Sequence, residues 1–164
     1  MGLVTSEQCR FQVGVMSYIS LWLFAFFLCL PRFRGAREEV VINPKLYSWG
    51  YNDYGQLGLG DVVQRDTRVL MEYMRNATAY PRVVQMSAGA YHSAAVMHDG
   101  SIWTWGNNER GQLGHHGTDT TYMPHKVDAI GNIFCREVRA AAYSTYAVTS
   151  DAQIYGWGSN EYVL

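Results

Sequence analysis

The chain has 164 residues, a formal net charge of −1 and a composition that is 48% hydrophobic, with 16 glycines. This apolar content excludes intrinsic disorder, and the near-zero charge gives no electrostatic reason to expect a nucleic-acid partner. The three cysteines, Cys9, Cys29 and Cys135, are widely spaced and indicate neither a disulfide framework nor a zinc site. The length suits one domain with a sizeable core, and the many glycines indicate frequent turns.

Residues 11–31 form an uncharged stretch, FQVGVMSYISLWLFAFFLCLP. As a helix, about 20 residues would span the roughly 30 Å of a bilayer core. Arg10 precedes the stretch and three arginines follow it within residues 32–37, which predicts that the following side is cytosolic. We therefore predict an N-terminal hydrophobic helix within residues 1–39 that is a candidate membrane anchor. A cleaved signal peptide, an apolar piece of the core and a non-native extension are the alternatives.

Residues 62–82 form a connection longer than compact domains usually have. Four of its apolar residues have helical spacing, namely Val69, Leu70, Tyr73 and Met74. The segment is therefore predicted to be either a short helix or an inserted surface loop.

The rest of the chain repeats one pattern, W-G-x-N-x-x-G-Q-L-G. It begins at Trp49, again 56 residues later at Trp105, and in part a further 52 residues on at Trp157. A period near 50 residues is the length of a propeller blade. The first copy has Trp49, Gly50, Asn52, Gly55, Gln56, Leu57 and Gly58; the second has Trp105, Gly106, Asn108, Gly111, Gln112, Leu113 and Gly114; the third has Trp157, Gly158 and Asn160.

Each unit also predicts a pair of strands joined by a tight turn. Residues 83–106 match residues 135–158 at a fixed offset of 52. The turn of the second unit is Asp99-Gly100, which is typical of hairpins because glycine takes a positive φ at little steric cost. The third unit has Asp151-Ala152 there, a poorer turn because alanine resists a positive φ.

The stretch GAYHSAAVMHDGSIWTWGNNERGQLG, at 89–114, resembles the regulator of chromosome condensation repeat family. The resemblance covers about residues 40–164. It implies an all-β fold, a β-propeller of four-stranded antiparallel blades, usually seven in number. It further implies a role as a protein-interaction platform and, in some members, as a guanine-nucleotide exchange factor for small GTPases such as Ran.

The chain departs from the family pattern in three places. The first unit lacks the upstream strand pair, the last unit stops before its motif is finished, and Ala141 and Ser144 replace the family residues that Gly89 and His92 supply. Two to three blades cannot close a ring, so the sequence predicts a partial propeller. We expect it to be a piece of a longer propeller, with association through open blade edges as the alternative. The predicted organisation is a hydrophobic segment at 1–39 and incomplete propeller repeats at 40–164, in units ending near 61, 117 and 164.

The five histidines raise the question of catalysis or metal binding. His115, His116 and His125 fall in a predicted solvated loop, without the spacing or the carboxylates of a metal site. His92 is expected to make a structural hydrogen bond. No nucleophile elbow or phosphate-binding loop is present in the sequence. We therefore predict no enzyme activity, no cofactor, and no catalytic or metal-binding residues.

The predicted function is that of a protein-protein interaction module, with nucleotide exchange on a Ran-like or Arf-like GTPase as the alternative. Predicted partners are proteins, among them a small GTPase, with membrane attachment through residues 11–31 and self-association through open blade edges as further hypotheses. The predicted location is cytoplasmic, with the repeats on the cytosolic side of any membrane; a nuclear location is the alternative that the family resemblance implies.

Overall fold

The computed structural model describes residues 45–75, 82–131 and 133–161, together with the backbone of residues 12–15. Within these residues the chain forms ten strands and two 3-10 helices. The strands are β1 (Gln12–Val15), β2 (Tyr47–Gly50), β3 (Arg65–Leu70), β4 (Val83–Ala88), β5 (His92–Met97), β6 (Ile102–Gly106), β7 (Thr121–Lys126), β8 (Cys135–Ala140), β9 (Ser144–Thr149) and β10 (Ile154–Gly158). The 3-10 helices are Glu72–Arg75 and Asp128–Ile130.

The strands form three sheets, which we call blades 1, 2 and 3 in chain order. Blade 2 is a four-stranded meander in the order β4-β5-β6-β7, blade 1 has the order β1-β2-β3, and blade 3 has the order β8-β9-β10. Neighbouring strands pair antiparallel throughout blades 2 and 3. The predicted all-β fold of antiparallel blades is confirmed.

Blade 1 differs from the prediction at its first strand. β1 comes from the hydrophobic segment and pairs in parallel with β2, with Gln12 opposite Tyr47. The predicted helix is therefore wrong at residues 12–15, where the backbone satisfies the otherwise unpaired edge of β2. A parallel pair needs a connection of about a dozen residues or more, which residues 16–46 supply. The rest of residues 1–39 lies outside the described residues.

Among the residues that the structure describes, no helix is both long enough and apolar enough to cross a membrane.

β3 occupies the segment that was predicted to be a helix or a loop. It pairs antiparallel with β2, and its middle residues 66–68 are exposed. Charged side chains on such an outer strand oppose pairing with other chains. The helical interpretation is therefore wrong for β3, and a single 3-10 turn, Glu72–Arg75, follows and buries Met74.

Two hydrophobic cores lie between consecutive blades. The core between blades 1 and 2 consists of Leu46, Met71, Met74, Val83, Met86, Ala95, Met97 and Trp105. The core between blades 2 and 3 consists of Ala94, Val96, Ile102, Val127, Ile130, Cys135, Val138 and Ala147. Successive side chains of a strand point to opposite faces, so β5 contributes to both cores. All six residues of β5 are buried.

Candidate protein-interaction surface

The loop after each motif tryptophan is held together by an asparagine and a glutamine of the motif. In blade 2, Asn108 Oδ1 accepts the backbone N–H of Leu113 at 3.0 Å, and Gln112 Oε1 accepts a backbone N–H two residues earlier at 2.9 Å. Asn52 and Gln56 make the corresponding bonds in blade 1, both at 2.9 Å. These buried amides satisfy backbone groups that the irregular loop would otherwise leave unpaired.

The backbone oxygen of the motif glutamine joins each blade to the next. The oxygen of Gln112 accepts hydrogen bonds from Trp157 Nε1 at 3.0 Å and from Thr145 Oγ1 at 2.7 Å, both in blade 3. We call this arrangement the interblade clamp. The same clamp joins blades 1 and 2 through Gln56, Trp105 and Ser93, with both distances 2.9 Å. The motif tryptophan therefore binds the preceding blade.

The clamp explains one glycine of the motif. A Cβ atom on Gly114 would lie 2.7 Å from Trp157 Nε1, and one on Gly58 would lie 2.7 Å from Trp105 Nε1. Both glycines also have φ of +71°. The indole of the next blade lies directly against the backbone at these positions, which leaves no room for a side chain.

His92 extends the clamp into the centre of blade 2. It is fully buried, and its Nε2 lies 2.8 Å from Thr145 Oγ1. Because that hydroxyl donates to Gln112, it accepts from His92, which fixes the Nε2–H tautomer. Burial lowers the pKa of His92 to about 4, so the ring is neutral at physiological pH. Among the described residues its Nδ1 has no hydrogen-bond partner.

Four of the other motif residues lie outside the strands, namely Gly89, Asp99, Gly100 and Asn160, whereas Trp49, Gly50, Gly106 and Gly158 lie within strands. Asp99 Oδ1 accepts both the backbone N–H and the hydroxyl of Ser101, at 3.0 and 2.7 Å, and Gly100 has φ of +80°. Gly89 lies close to its neighbours, since a Cβ there would be 2.4 Å from the ring of His92. Asn160 is exposed beyond the last clamp.

The three histidines that the sequence predicted in one solvated loop do not all lie in a loop. His125 lies in β7 rather than in a loop, and its ring contacts that of His115 with centroids 4.9 Å apart. His115 Nε2 lies 3.0 Å from Thr104 Oγ1, and burial together with His125 lowers the pKa of His115. His116 is exposed. Over the described part of the chain, no three histidine, cysteine or acidic side chains converge as metal ligands.

The face of blade 3 that points away from blade 2 is exposed, and we call it the outer face. Tyr146 and Ile154 lie on it and are 45% and 72% exposed. Their counterparts 52 residues earlier, Ala94 and Ile102, are 0% and 1% exposed because blade 3 covers them. The outer face is thus an apolar surface of the kind that a further blade covers elsewhere in the molecule.

The polar positions of the outer face correspond to half-buried residues of blade 2 that form hydrogen bonds with blade 3. In blade 2, Gln85 and Ser87 of β4 accept backbone N–H groups of β8 at 2.9 Å each, and these hydrogen bonds connect β4 to β8. The corresponding residues of blade 3 are Glu137 and Arg139, which form an ion pair at 2.5 Å. The Glu137 carboxylate can accept an N–H group in the same way, whereas a guanidinium cannot.

Several of these residues were not singled out from the sequence. The hydroxyls of Ser93 and Thr145 complete the clamps, and the outer face arises from Tyr146 and Ile154. A usable signal was present, because Ser93 and Thr145 are separated by the same offset of 52 as the matching strands.

The family comparison agrees with this geometry. Models of the regulator of chromosome condensation (RCC1) repeat match residues 45–96 and 99–148, and a second model of the repeat matches residues 83–112. The chain belongs to the RCC1 repeat family. The resemblance noted in the sequence is confirmed, and an RCC1 repeat domain is a propeller-type protein-interaction module.

Three similar proteins show how much of a longer protein the chain corresponds to. The ultraviolet-B receptor UVR8 of Arabidopsis thaliana is 36% identical over 117 residues, which are 71% of this chain and 26% of the receptor. The X-linked retinitis pigmentosa GTPase regulator of Canis lupus familiaris is 39% identical over 83 residues, 51% of this chain and 8% of the regulator. The crystal structure of human WBSCR16 superposes with a TM-score of 0.62 at 27% identity, covering 71% of this chain and 29% of that one. The chain thus spans less than a third of each of these proteins.

Proposed function

We propose that this chain is a protein-interaction module that binds another antiparallel blade through its outer face. The observation that supports this proposal is the contrast between Ile154, 72% exposed, and its counterpart Ile102, 1% exposed. Aromatic and aliphatic side chains at the centre of an exposed patch are typical of protein interfaces. Burying a side chain such as Ile154 or Tyr146 stabilises a complex by about 1.5–3 kcal/mol.

For the chain by itself, we propose that the blade covering the outer face belongs to a second copy. Blade 3 meets blade 2 with small apolar side chains, Val138 and Ala147, and with an indole donor, Trp157. A blade of the same repeat supplies the same kinds of group. Exposed sheet faces and edges also favour association with similar chains.

Sedimentation velocity over a range of concentrations tests this association. The wild-type chain is expected to sediment above its monomer mass of 18.6 kDa, and Ile154→Asp is expected to return it toward the monomer. Val63→Asp is the matched control, because Val63 is a 59% exposed aliphatic residue in the loop between β2 and β3. Identical sedimentation of wild type and Ile154→Asp at every concentration would overturn the proposal.

Nucleotide exchange on a small GTPase is a second proposed function. It is supported by the 39% identity to a protein named as a GTPase regulator, of which the matched region covers 8%. Exchange requires a surface that binds the GTPase better without its nucleotide, and it requires no catalytic side chain on this chain. The chain is expected to accelerate release of labelled GDP from a Ran-like or an Arf-like GTPase. An unchanged release rate with both GTPases would contradict this function.

We propose a cytoplasmic location for the repeats. The wide spacing of the three cysteines, which shows no disulfide pattern in the sequence, and the arginines at 32–37 support a reducing, cytosolic environment. Fractionation with an antibody against residues 83–114 tests this location. The protein is expected in the cytosolic fraction, and its recovery in nuclei or in a carbonate-washed membrane pellet would contradict it.

A further inference from the structure

A row of tyrosine rings crosses the three blades at one end of the sheets. The Tyr54 and Tyr91 ring centroids are 5.0 Å apart, and those of Tyr91 and Tyr143 are 6.2 Å apart. Tyr51 precedes Tyr54 in the same loop, and the charges of Tyr54 and Tyr91 contribute to the raised pKa of Tyr51. We call these four residues the tyrosine strip.

The strip is built by the repeat. Tyr91 lies in the turn between β4 and β5 of blade 2, and Tyr143 lies in the turn between β8 and β9 of blade 3. The two positions are equivalent and 52 residues apart. Tyr51 and Tyr54 come from the motif loop of blade 1. Three loops from three blades therefore bring the rings together, and the interblade clamps fix the spacing of those loops.

The rings remain accessible. Tyr143 is 42% exposed, and Tyr51, Tyr54 and Tyr91 are each half-buried. Rings that only filled a core would be buried as completely as Trp105, which is 1% exposed. A row of exposed rings on rigid loops is the composition of a binding surface, because tyrosine gives a large contact area at a small entropic cost.

The border of the strip is acidic. The Tyr51 hydroxyl donates to the carboxylate of Asp53, and this hydrogen bond is the main reason why the pKa of Tyr51 is raised to about 12. At the other end, Arg110 lies near Tyr143 and near Glu109 and is paired with Glu161. Asp53, Glu109 and Glu161 are all exposed, so these described residues set three carboxylates beside the one guanidinium of Arg110.

We propose that the tyrosine strip binds a lysine- and arginine-rich segment of a partner protein. Guanidinium and ammonium groups are attracted to the faces of tyrosine rings, and their aliphatic stems pack against the same rings. The carboxylates at the border then form charge-assisted hydrogen bonds with the cationic ends. The same carboxylates would repel nucleic-acid phosphates and acidic peptides. This surface is separate from the outer face of blade 3 and does not depend on the function proposed for that face.

Fluorescence anisotropy with a labelled nona-arginine peptide and the full 164-residue chain tests the proposal. Nona-arginine is expected to bind, while a nona-glutamate peptide and a poly(U) oligonucleotide are expected not to bind. Tyr143→Ala is expected to weaken nona-arginine binding at least about fivefold, and Tyr143→Phe by less than about twofold, because the ring is retained. Tyr155→Ala is the control, since Tyr155 is a 39% exposed tyrosine on β10, outside the strip.

A second variant keeps the test decisive if removal of a tyrosine prevents folding. The pair Asp53→Asn and Glu109→Gln changes two exposed residues and is expected to weaken nona-arginine binding at least about fivefold. Unchanged binding by both this pair and Tyr143→Ala would overturn the proposal, as would tighter binding of poly(U) than of nona-arginine. Ile154→Asp is expected to leave nona-arginine binding unchanged, so failure of the outer-face proposal is distinguishable from failure of this one.

Discussion

At the scale of single residues, His92 shows how a buried side chain connects two blades and makes their stability depend on pH. Its Nε2–H donates to Thr145, which in turn donates to Gln112. The folded chain takes up a proton at His92 only near its lowered pKa of about 4, whereas the unfolded chain does so near 6.5. The unfolded state therefore binds more protons between these values, so stability falls as the pH falls from 6.5 to 4.

We expect this residue to contribute a loss of about 3 kcal/mol of unfolding free energy between pH 6.5 and pH 4. Urea unfolding at a series of pH values measures the loss. His92→Gln keeps a donor toward Thr145 but does not titrate, so its stability is expected to vary less over the same range. His98→Gln, at an exposed position, serves as the control and keeps the wild-type dependence. Equal slopes for wild type and His92→Gln would show that His92 is not the group responsible.

Ala152 is the one described residue other than glycine that has a positive φ, at 66°. It occupies the turn position that Gly100 holds in blade 2, where φ is +80°. A left-handed conformation costs an alanine about 1–2 kcal/mol, and the extra freedom of an unfolded glycine offsets part of the gain. Ala152→Gly is therefore expected to stabilise the chain by about 0.5–1 kcal/mol, measured as the shift of the urea midpoint.

The reverse change in blade 2 is the matched experiment. Gly100→Ala introduces the same backbone strain and also places a Cβ 2.5 Å from the Phe134 ring. We expect a destabilisation of about 2 kcal/mol or more. A neutral Ala152→Gly combined with a neutral Gly100→Ala would show that the two turns adopt other conformations in solution.

At the scale of the element, the motif loop and the tryptophan of the next blade form one unit. Two glycines of this loop have nearly the same backbone, Gly111 with φ of +72° and Gly114 with φ of +71°. A Cβ on Gly111 would meet nothing within 4 Å, whereas one on Gly114 would meet the Trp157 indole at 2.7 Å. The pair therefore separates the conformational requirement for glycine from the requirement for space.

Gly111→Ala is expected to cost about 1–2 kcal/mol from backbone strain alone. Gly114→Ala adds the collision with Trp157 and is expected to cost about 1–3 kcal/mol more. Chemical denaturation followed by far-ultraviolet circular dichroism measures both, and tryptophan fluorescence reports the displacement of the indole. Equal costs for the two variants would mean that the clamp does not close on Gly114.

The elements differ in how far the sequence determines them. The Trp49 and Trp105 motifs and the Asp99-Gly100 turn carry local signals, because each requires glycine or a polar side chain at a fixed place, and they identified the repeats correctly. β1 and β3 carry no such signal. The length of an apolar run such as residues 11–31 favours a helix, and only the unpaired edge of β2, a tertiary feature, selects a strand at residues 12–15.

The candidate surfaces could not be predicted from the sequence, for a related reason. Tyr54 and Tyr143 are 89 residues apart in the chain and belong to different parts of the repeat. Their place in one strip depends on how blades stack, which no local pattern encodes. The outer face likewise becomes apparent only when the exposure of Ile154 is compared with that of Ile102.

At the scale of the whole molecule, blade 2 is the centre of the described structure. It contributes to both cores, whereas blades 1 and 3 contribute to one core each. In such a linear stack the free energy of unfolding is approximately the sum of the contributions of the single blades and of the interfaces between neighbouring blades. Loss of the interface on one side of blade 2 should therefore loosen the blade beyond it, while loss of a residue within blade 2 should loosen the whole stack.

Native-state hydrogen exchange followed by mass spectrometry tests this hierarchy with two tryptophans that occupy equivalent clamps. Trp157 is half-buried on the outermost strand of blade 3, so Trp157→Ala is expected to accelerate exchange in residues 135–158 and to leave residues 45–75 protected. Trp105 is 1% exposed in the core of blades 1 and 2, so Trp105→Ala is expected to accelerate exchange in both regions. Equal acceleration in residues 45–75 by both variants would show instead that the three blades open as one cooperative unit. In a stack that is stabilised only by contacts between neighbouring blades, loss of the clamp of blade 3 would affect exchange in blade 1 less than loss of the clamp of blade 2 does.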